Sequence, residues 1–312
     1  METRNLGHSG LQVSLVGLGC NNFGMFLDLE ASRKVIDKAI ELGITLFDTA
    51  DIYGNRGGSE TMMGQILGDR RKHIILATKF GMAMDEAGTL KGASRRYIFS
   101  AVEASLRRLK TDWIDLYQLH QVDPLTPMEE TLRALDDLIK QGKVRYIGIS
   151  NHPAWKVADA EWISRQHNLN HFISCQDEYS LLARAPEKEL IPAMKKFGLG
   201  LLPYFPLASG MLTGKHHRGN LSHGTRLETA RFAGRFTTDE NFAIVEKLAQ
   251  FCKKRGHTLL ELAFSWLAMK AINSSIIAGA TKPEQLEQNV KAVDWKLTPE
   301  DLSEIDALTA RA

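Results

Sequence analysis

Short, almost wholly apolar runs alternate along this chain with longer stretches in which apolar residues recur at helical spacing. The runs cover residues 15–18, 45–47, 74–77, 114–117, 145–149, 172–175, 199–203 and 275–278. Apolarity without alternation is what strands buried on both faces require, as in a parallel sheet. Between the runs, Ile98, Val102, Leu106 and Leu109 form one apolar stripe. Met128, Leu132, Leu135 and Leu138 form a second, and Leu190, Met194 and Phe197 a third. Such stripes predict amphipathic helices that need a sheet to cover them. Thr126-Pro127-Met128-Glu129 and Thr281-Lys282-Pro283-Glu284 read as capping boxes with proline in the first turn, and Gly43 and Gly142 as helix stops. Eight strand–helix alternations without a composition break predict the α/β class, as a (β/α)8 TIM barrel, with residues 1–312 as one domain.

Two segments depart from the repeat. Residues 4–6 and 12–13 flank Ser9-Gly10 and predict a short N-terminal β-hairpin over the barrel bottom. After strand seven, residues 206–238 show little periodicity, and Gly210, Gly214, Gly219, Gly224 and Gly234 interrupt them. A long loop with few apolar anchors has little burial to set against its conformational entropy. Its basic residues Lys215, Arg218, Arg226, Arg231 and Arg235 suit an anion, so the segment is expected to act as a lid.

Composition narrows the function. The 312 residues are 44% hydrophobic and 24% charged, which excludes a disordered chain. A net charge of +2 and a pI near 8.3 carry no nucleic-acid footprint. No stretch approaches the ~18 apolar residues of a membrane span, and the first ten residues lack a signal-peptide core. Cys20, Cys175 and Cys252 are scattered, which points to a reducing compartment without disulfides or a metal site. The expectation is a cytoplasmic enzyme, monomeric or a weak homo-oligomer, acting on a small molecule.

Barrel chemistry sits at the C-terminal strand ends, so the residues just past each run are informative. They are Asp48, with Tyr53 five residues on, Thr78-Lys79, His120, Ser150-Asn151, Gln176, Tyr204 and Gly279-Ala280-Thr281. A buried lysine needs an anionic partner or loses its proton, and Asp48 on the neighbouring strand can supply one. The lysine in turn would favour tyrosinate and lower the Tyr53 pKa from its ordinary ~10. A tyrosine tuned this way exchanges a proton near neutrality.

These residues resemble a known family. Phe47-Asp48-Thr49-Ala50-Asp51-Ile52-Tyr53-Gly54 with Ser59-Glu60 is similar to the first signature of the aldo-keto reductases. Ser105-Leu106-Arg107-Arg108-Leu109, Asp112, Asp115-Leu116 and His120 resemble the second, although Arg107-Arg108 taken alone reads as a solvated helix face. Gly142-Lys143-Val144-Arg145, Ile147-Gly148 and Ser150-Asn151 resemble the strand-five signature, and Pro206-Leu207-Ala208, Gly210 and Leu212 the segment after strand seven. The resemblance implies a catalytic tetrad of Asp48, Tyr53, Lys79 and His120. Tyr53 would be the acid, Lys79 with Asp48 its tuner, and His120 the group that orients the carbonyl. It implies that Ser150, Asn151 and Gln176 hold the nicotinamide amide while Tyr204 stacks on the ring. Further cofactor contacts are implied at Gly19, Pro206, Leu207, Gly210, Lys215, Gly279, Thr281, Lys282, Gln285, Gln288 and Asn289.

Phe205 stands where relatives often carry serine, and Thr281-Lys282 with Gln285 replace an arginine-bearing pattern. These departures weaken a strict NADPH preference, and the cofactor expectation is NADPH with NADH possible, because Lys282 and the backbone N–H groups at the start of the 281–284 helix can meet its phosphate. Residues 21–26, 80–84 and 206–238 should line the mouth. Asn22, Phe23, Phe26, Met82 and His120 are the expected substrate contacts, with Met84 and Asp123 nearby, which favours an aromatic or aliphatic carbonyl over a bare sugar. Two alternatives stay open. One is a Schiff-base aldolase using Lys79 as its amine. The other is a nucleotide-binding, redox-sensing regulatory subunit on the same fold, which the intact tetrad and the lack of an added N-terminal segment disfavour.

Overall fold

In the computed structural model, which describes residues 1–221, 227 and 230–311, the eight apolar runs close into one parallel barrel. After a small hairpin of β1 (Thr3–Asn5) and β2 (Gln12–Ser14), the staves follow in chain order. They are β3 (Val16–Gly19), β4 (Leu46–Asp48), β5 (Ile75–Phe80), β6 (Ile114–Leu119), β7 (Val144–Ser150), β8 (Ser174–Glu178), β9 (Gly200–Tyr204) and β10 (Ile276–Gly279). β10 pairs with β3 to close the ring, in the register Gly279 to Gly19. The layer outside it holds α1 (Leu29–Glu41), α2 (Tyr53–Ile66), α3 (Arg95–Leu109), α4 (Met128–Lys140), α5 (Ala154–His167) and α6 (Leu190–Phe197). It continues with α7 (Ala230–Phe236), α8 (Asp239–Arg255), α9 (Leu259–Met269), α10 (Pro283–Lys291) and α11 (Pro299–Thr309).

The hairpin plugs the bottom. Leu6 and Val13 pack with Leu46, Ala77, Leu116, Leu202 and Ile277 in a small cluster separate from the main core. Those last five are inward positions of their strands, and two residues further on the same face carries Asp48, Lys79, Gln118, Tyr204 and Gly279. The interior is therefore apolar below and polar above. Several strands run one to three residues past the apolar runs for this reason. Inward polar side chains that bond one another can continue the ladder, and the end of an apolar run does not end it.

Three local expectations need correction. No side chain caps α4, because Thr126 Oγ1 donates instead to Asp123 Oδ2 at 2.7 Å. At α10 the cap comes from Gln285, whose Oε1 accepts from the N–H groups of Thr281 (2.7 Å) and Lys282 (3.3 Å). The third concerns residues 206–238. They contain a 3-10 turn at Ala208–Thr213 and the helix α7, and Ala208, Met211, Leu212, Leu227 and Phe236 are buried. Apolar anchors are thus present among its described residues, which corrects the expected shortage of burial there. Arg218 pairs with Asp239 and Glu246, and Arg235 with Glu178. Those two charges are engaged with carboxylates. Gly224, Arg226 and the side chain of Arg231 lie outside the described residues.

Candidate active site

β4 delivers Asp48 to the top of the barrel, and the chain then turns across the strand ends to Tyr53. The turn is nailed to the neighbouring strand: Thr49 N–H donates to Ala77 O at 2.8 Å and Asp51 N–H to Lys79 O at 3.1 Å. Gly54, at φ +67°, comes next, and a Cβ there would lie 2.5 Å from Phe23 O and 2.6 Å from Ser59 N. Only glycine fits that left-handed, crowded position. Ser59 and Glu60 complete the scaffold. Ser59 Oγ lies 2.9 Å from Cys20 O and 2.8 Å from Thr49 Oγ1, and Glu60 accepts from Thr78 Oγ1 (2.6 Å) and Arg108 Nε (2.7 Å). Arg108 is thus part of this support and not a solvated helix face.

Lys79 is fully buried, and its ammonium has one acceptor for each of its three protons. Nζ donates to Asp48 Oδ2 at 2.7 Å, to Thr49 O at 2.9 Å and to Tyr53 Oη at 3.5 Å. Asp48 Oδ1 accepts from Gln176 Nε2 at 2.8 Å and Gln118 Nε2 at 3.2 Å. The Tyr53 ring meets the His120 ring edge-on, with centroids 5.7 Å apart. All four candidate tetrad residues therefore converge on one point.

Burial alone would lower the Lys79 pKa, but the Asp48 carboxylate and the Tyr53 hydroxyl outweigh it and hold the ammonium above its ordinary value. Tyr53 corrects the expectation from sequence. Burial pushes the phenol up by more than Lys79 pulls it down, so the resident form is the protonated one. Burial, helped by the Lys79 charge, drives His120 down to about 3 and leaves a neutral imidazole.

A second group forms at the ends of β7 and β9. Tyr204 Oη donates to Asn151 Oδ1 at 2.8 Å, while Asn151 Nδ2 reaches His120 O at 3.0 Å and Ser150 Oγ at 2.9 Å. Asn151 takes φ +59°, and Tyr204 leaves its ring half-exposed. Gln176 stands apart from this group, its amide N–H being given to Asp48. Gly19 and Gly279 face each other across β3 and β10 without side chains.

The profile of the Aldo/keto reductase family matches residues 15–310. The chain belongs to that family. It is 38% identical to a putative voltage-gated potassium channel subunit beta of Schizosaccharomyces pombe, over 98% of this chain and 92% of the relative. An uncharacterized oxidoreductase of Bacillus subtilis, YrpG, is 36% identical over 97% and 94%. A probable aldo-keto reductase 1 of Glycine max is 36% identical over 96% and 86%.

In this family member the expected substrate contacts divide. Phe26 is 53% exposed and Met82 half-buried, both in segments that follow strand ends. Phe23 is fully buried in the core and cannot meet a substrate. Asn22 is also buried, and its Nδ2 holds Ala280 O at 2.9 Å. Asp123 accepts from Ala93 N–H, Leu125 N–H and Thr126 Oγ1, so it shapes a loop. The expected cofactor contacts also differ in setting. Pro206 and Asn289 are buried, Leu207, Gly210 and Gln285 half-buried, and Lys215, Gly279, Thr281, Lys282 and Gln288 exposed. The N–H groups of Thr281 and Lys282, offered from sequence to an anion, already have Gln285 as acceptor.

Sequence reasoning missed Gln118 and the Thr49 carbonyl. Gln118 precedes His120 by two, a spacing that puts both on one strand face and could have marked it. The carbonyl left no signal in residue identities. No helix among the described residues is long and apolar enough to cross a membrane, and no group of three or more metal-ligating side chains gathers there.

Proposed function

We propose that this protein reduces an aldehyde or ketone to the alcohol with NADPH, tolerating NADH, as a cytoplasmic enzyme that is monomeric or weakly self-associating. The observation that carries the reading is the ammonium of Lys79, whose three donors go to Asp48, Thr49 O and Tyr53. The residues present fit a nicotinamide nucleotide: a half-exposed Tyr204 ring fixed through its hydroxyl offers a flat apolar face beside the amide and hydroxyl of Asn151 and Ser150. Gly279, exposed at the end of β10 without a side chain, leaves its backbone open to close approach. When bound, the nicotinamide supplies the hydride for the carbonyl carbon. Tyr53 donates its proton to the carbonyl oxygen, and the adjacent Lys79 charge stabilises the phenolate as it forms. Neutral His120 orients the carbonyl from the other side. Loss of NADPH absorbance with a panel of aldehydes, ketones and reducing sugars tests the reading, which requires turnover of an aldehyde or a ketone.

His120 should stay neutral across the working range. Its folded value of about 3 lies below the unfolded ~6.5, so the unfolded chain binds more protons between those limits and His120 costs stability as pH falls through them. Nitrogen-15 NMR of the imidazole at pH 5 should show the neutral ring, and an imidazolium signal there would contradict its buried setting.

Lys282 tests cofactor choice. It is exposed at the start of α10, so Lys282→Ala should lower kcat/KM with NADPH by about three- to tenfold and leave the NADH value nearly constant. An unchanged ratio would remove Lys282 as the phosphate partner.

The relatives' names favour a second reading, a regulatory subunit on this fold, since one is called a potassium channel subunit beta. Nucleotide binding without turnover of any carbonyl would select it. The aldolase alternative needs a free amine, and the three engaged protons of Lys79 speak against one.

A further inference from the structure

Helix α5 is apolar on two opposite faces. Val157, Ala160 and Ser164 are buried, as the inner face of an amphipathic helix should be. On the outer face Trp155 is 63% exposed and Trp162 57%. No other helix among the described residues carries more than one exposed large hydrophobic side chain. A single such residue needs no explanation, but two tryptophans in register on one helix do.

The register is a heptad. Trp155, Trp162 and Leu169 recur every seven residues, the period of a seam between paired helices. Leu169 lies just past the left-handed cap Asn168, is half-buried, and is tied back to α5 by its N–H, which donates to Ser164 O at 2.9 Å. Contacts within the chain cover only part of each indole. Lys156 Nζ lies 4.7 Å from the Trp155 ring centroid and the Arg165 guanidinium 5.3 Å from that of Trp162. Phe197 of α6 meets Trp162 edge-on, with centroids 6.2 Å apart.

Charge along the same stripe is complementary to itself. Asp159 is exposed between the two tryptophans and joins no ion pair among the described residues. Arg165 gives Nε to Glu161 at 2.8 Å and keeps more than half of its side chain exposed. Six residues apart, Asp159 and Arg165 do not face each other along one helix. In an antiparallel pair of α5 helices centred on Trp162 they meet twice. That register also sets Trp162 against Trp162 and Trp155 against Leu169.

We infer that the outer face of α5 is the contact surface of a symmetric dimer, in which a second copy of this chain packs its own α5 antiparallel with Trp162 at the two-fold axis. A two-fold contact needs a patch complementary to itself, and the order Trp155, Asp159, Trp162, Arg165 supplies one. The 14 residues of α5 span only about 21 Å, so one helix face falls short of the ~800 Å² per partner of a standard stable interface. The dimer is therefore weak and exchanges with the monomer. None of these side chains belongs to the candidate active site, so the inference stands independently of the reductase reading.

Sedimentation equilibrium from micromolar to near-millimolar protein tests it. The mass should rise with concentration from the 34.8 kDa monomer towards twice that value. Trp162→Ser removes an exposed side chain and spares the core, and it should raise the dissociation constant by about thirtyfold, the weight of a central tryptophan in an interface. Asp159→Arg and Arg165→Glu should each be monomeric alone, because each sets like charges together at both ends of the pair. An equimolar mixture of the two should dimerise, because both contacts are then between opposite charges. A wild type that stays monomeric throughout would overturn the inference. So would a dimer whose dissociation constant Trp162→Ser leaves unchanged, or a mixture of the charge variants that stays monomeric. Binding of the monomer to phosphatidylserine vesicles, lost in Trp162→Ser, would also overturn it by assigning the tryptophans to a lipid surface.

Discussion

Tyr53→Phe should lower kcat for carbonyl reduction by about 10²–10⁴-fold while the NADPH dissociation constant stays within about twofold. The phenol is the only proton donor of the group that is neutral, half-buried and in reach of both Lys79 and His120. Phenylalanine keeps the ring and its edge contact with His120, and it leaves Lys79 its two shorter partners, Asp48 and Thr49 O. Fold and cofactor site should therefore survive, and the loss should fall on proton transfer. Single-turnover kinetics with fluorescence titration of NADPH separates the two. Near-wild-type turnover in the variant would sink the assignment of Tyr53 as the acid.

The candidate site was legible because its residues sit on inward positions of strands. In β4, β5 and β6 the interior residue changes from Leu46, Ala77 and Leu116 to Asp48, Lys79 and Gln118 within two positions, and a chain read at period two shows the switch directly. The barrel and its hairpin were legible for the same reason, since unbroken apolar runs admit few other arrangements. What could not be read was whatever depends on the sum of surroundings. The sign of the Tyr53 shift is set by burial, with the Asp48 carboxylate, against the Lys79 charge, and only the folded packing fixes their balance. Phe23 and Phe26 are three residues apart in one glycine-bearing turn, yet one is core and the other is on the surface. Residues 206–238 resemble a loop by composition, but among the described ones Ala208, Met211, Leu212, Leu227 and Phe236 are buried. The carboxylate of Asp123 looks like a polar substrate contact until its backbone partners are known.

Asp48→Asn should destabilise the fold by about 3–5 kcal/mol, because it leaves the fully buried Lys79 ammonium without its counter-charge. The pH dependence distinguishes this from loss of a hydrogen bond. In the native chain the folded Lys79 pKa is raised, so its contribution is complete below the unfolded value of ~10.4 and is lost only as pH climbs through the folded one. Between pH 6 and 9 it adds no slope. Without Asp48, burial dominates and the folded pKa drops below the unfolded one. The unfolded chain then binds more protons in that window, and the variant should gain stability as pH rises from 6 to 9. Adding Lys79→Met removes the uncompensated charge, so the double variant should recover most of the stability, lose the slope and remain inactive. Denaturant unfolding at both pH values, for the single and double variants, measures all three expectations. A loss below about 1 kcal/mol without slope would mean that Asp48 does not hold Lys79 in its charged form, and the stabilisation of the Tyr53 phenolate would need another source.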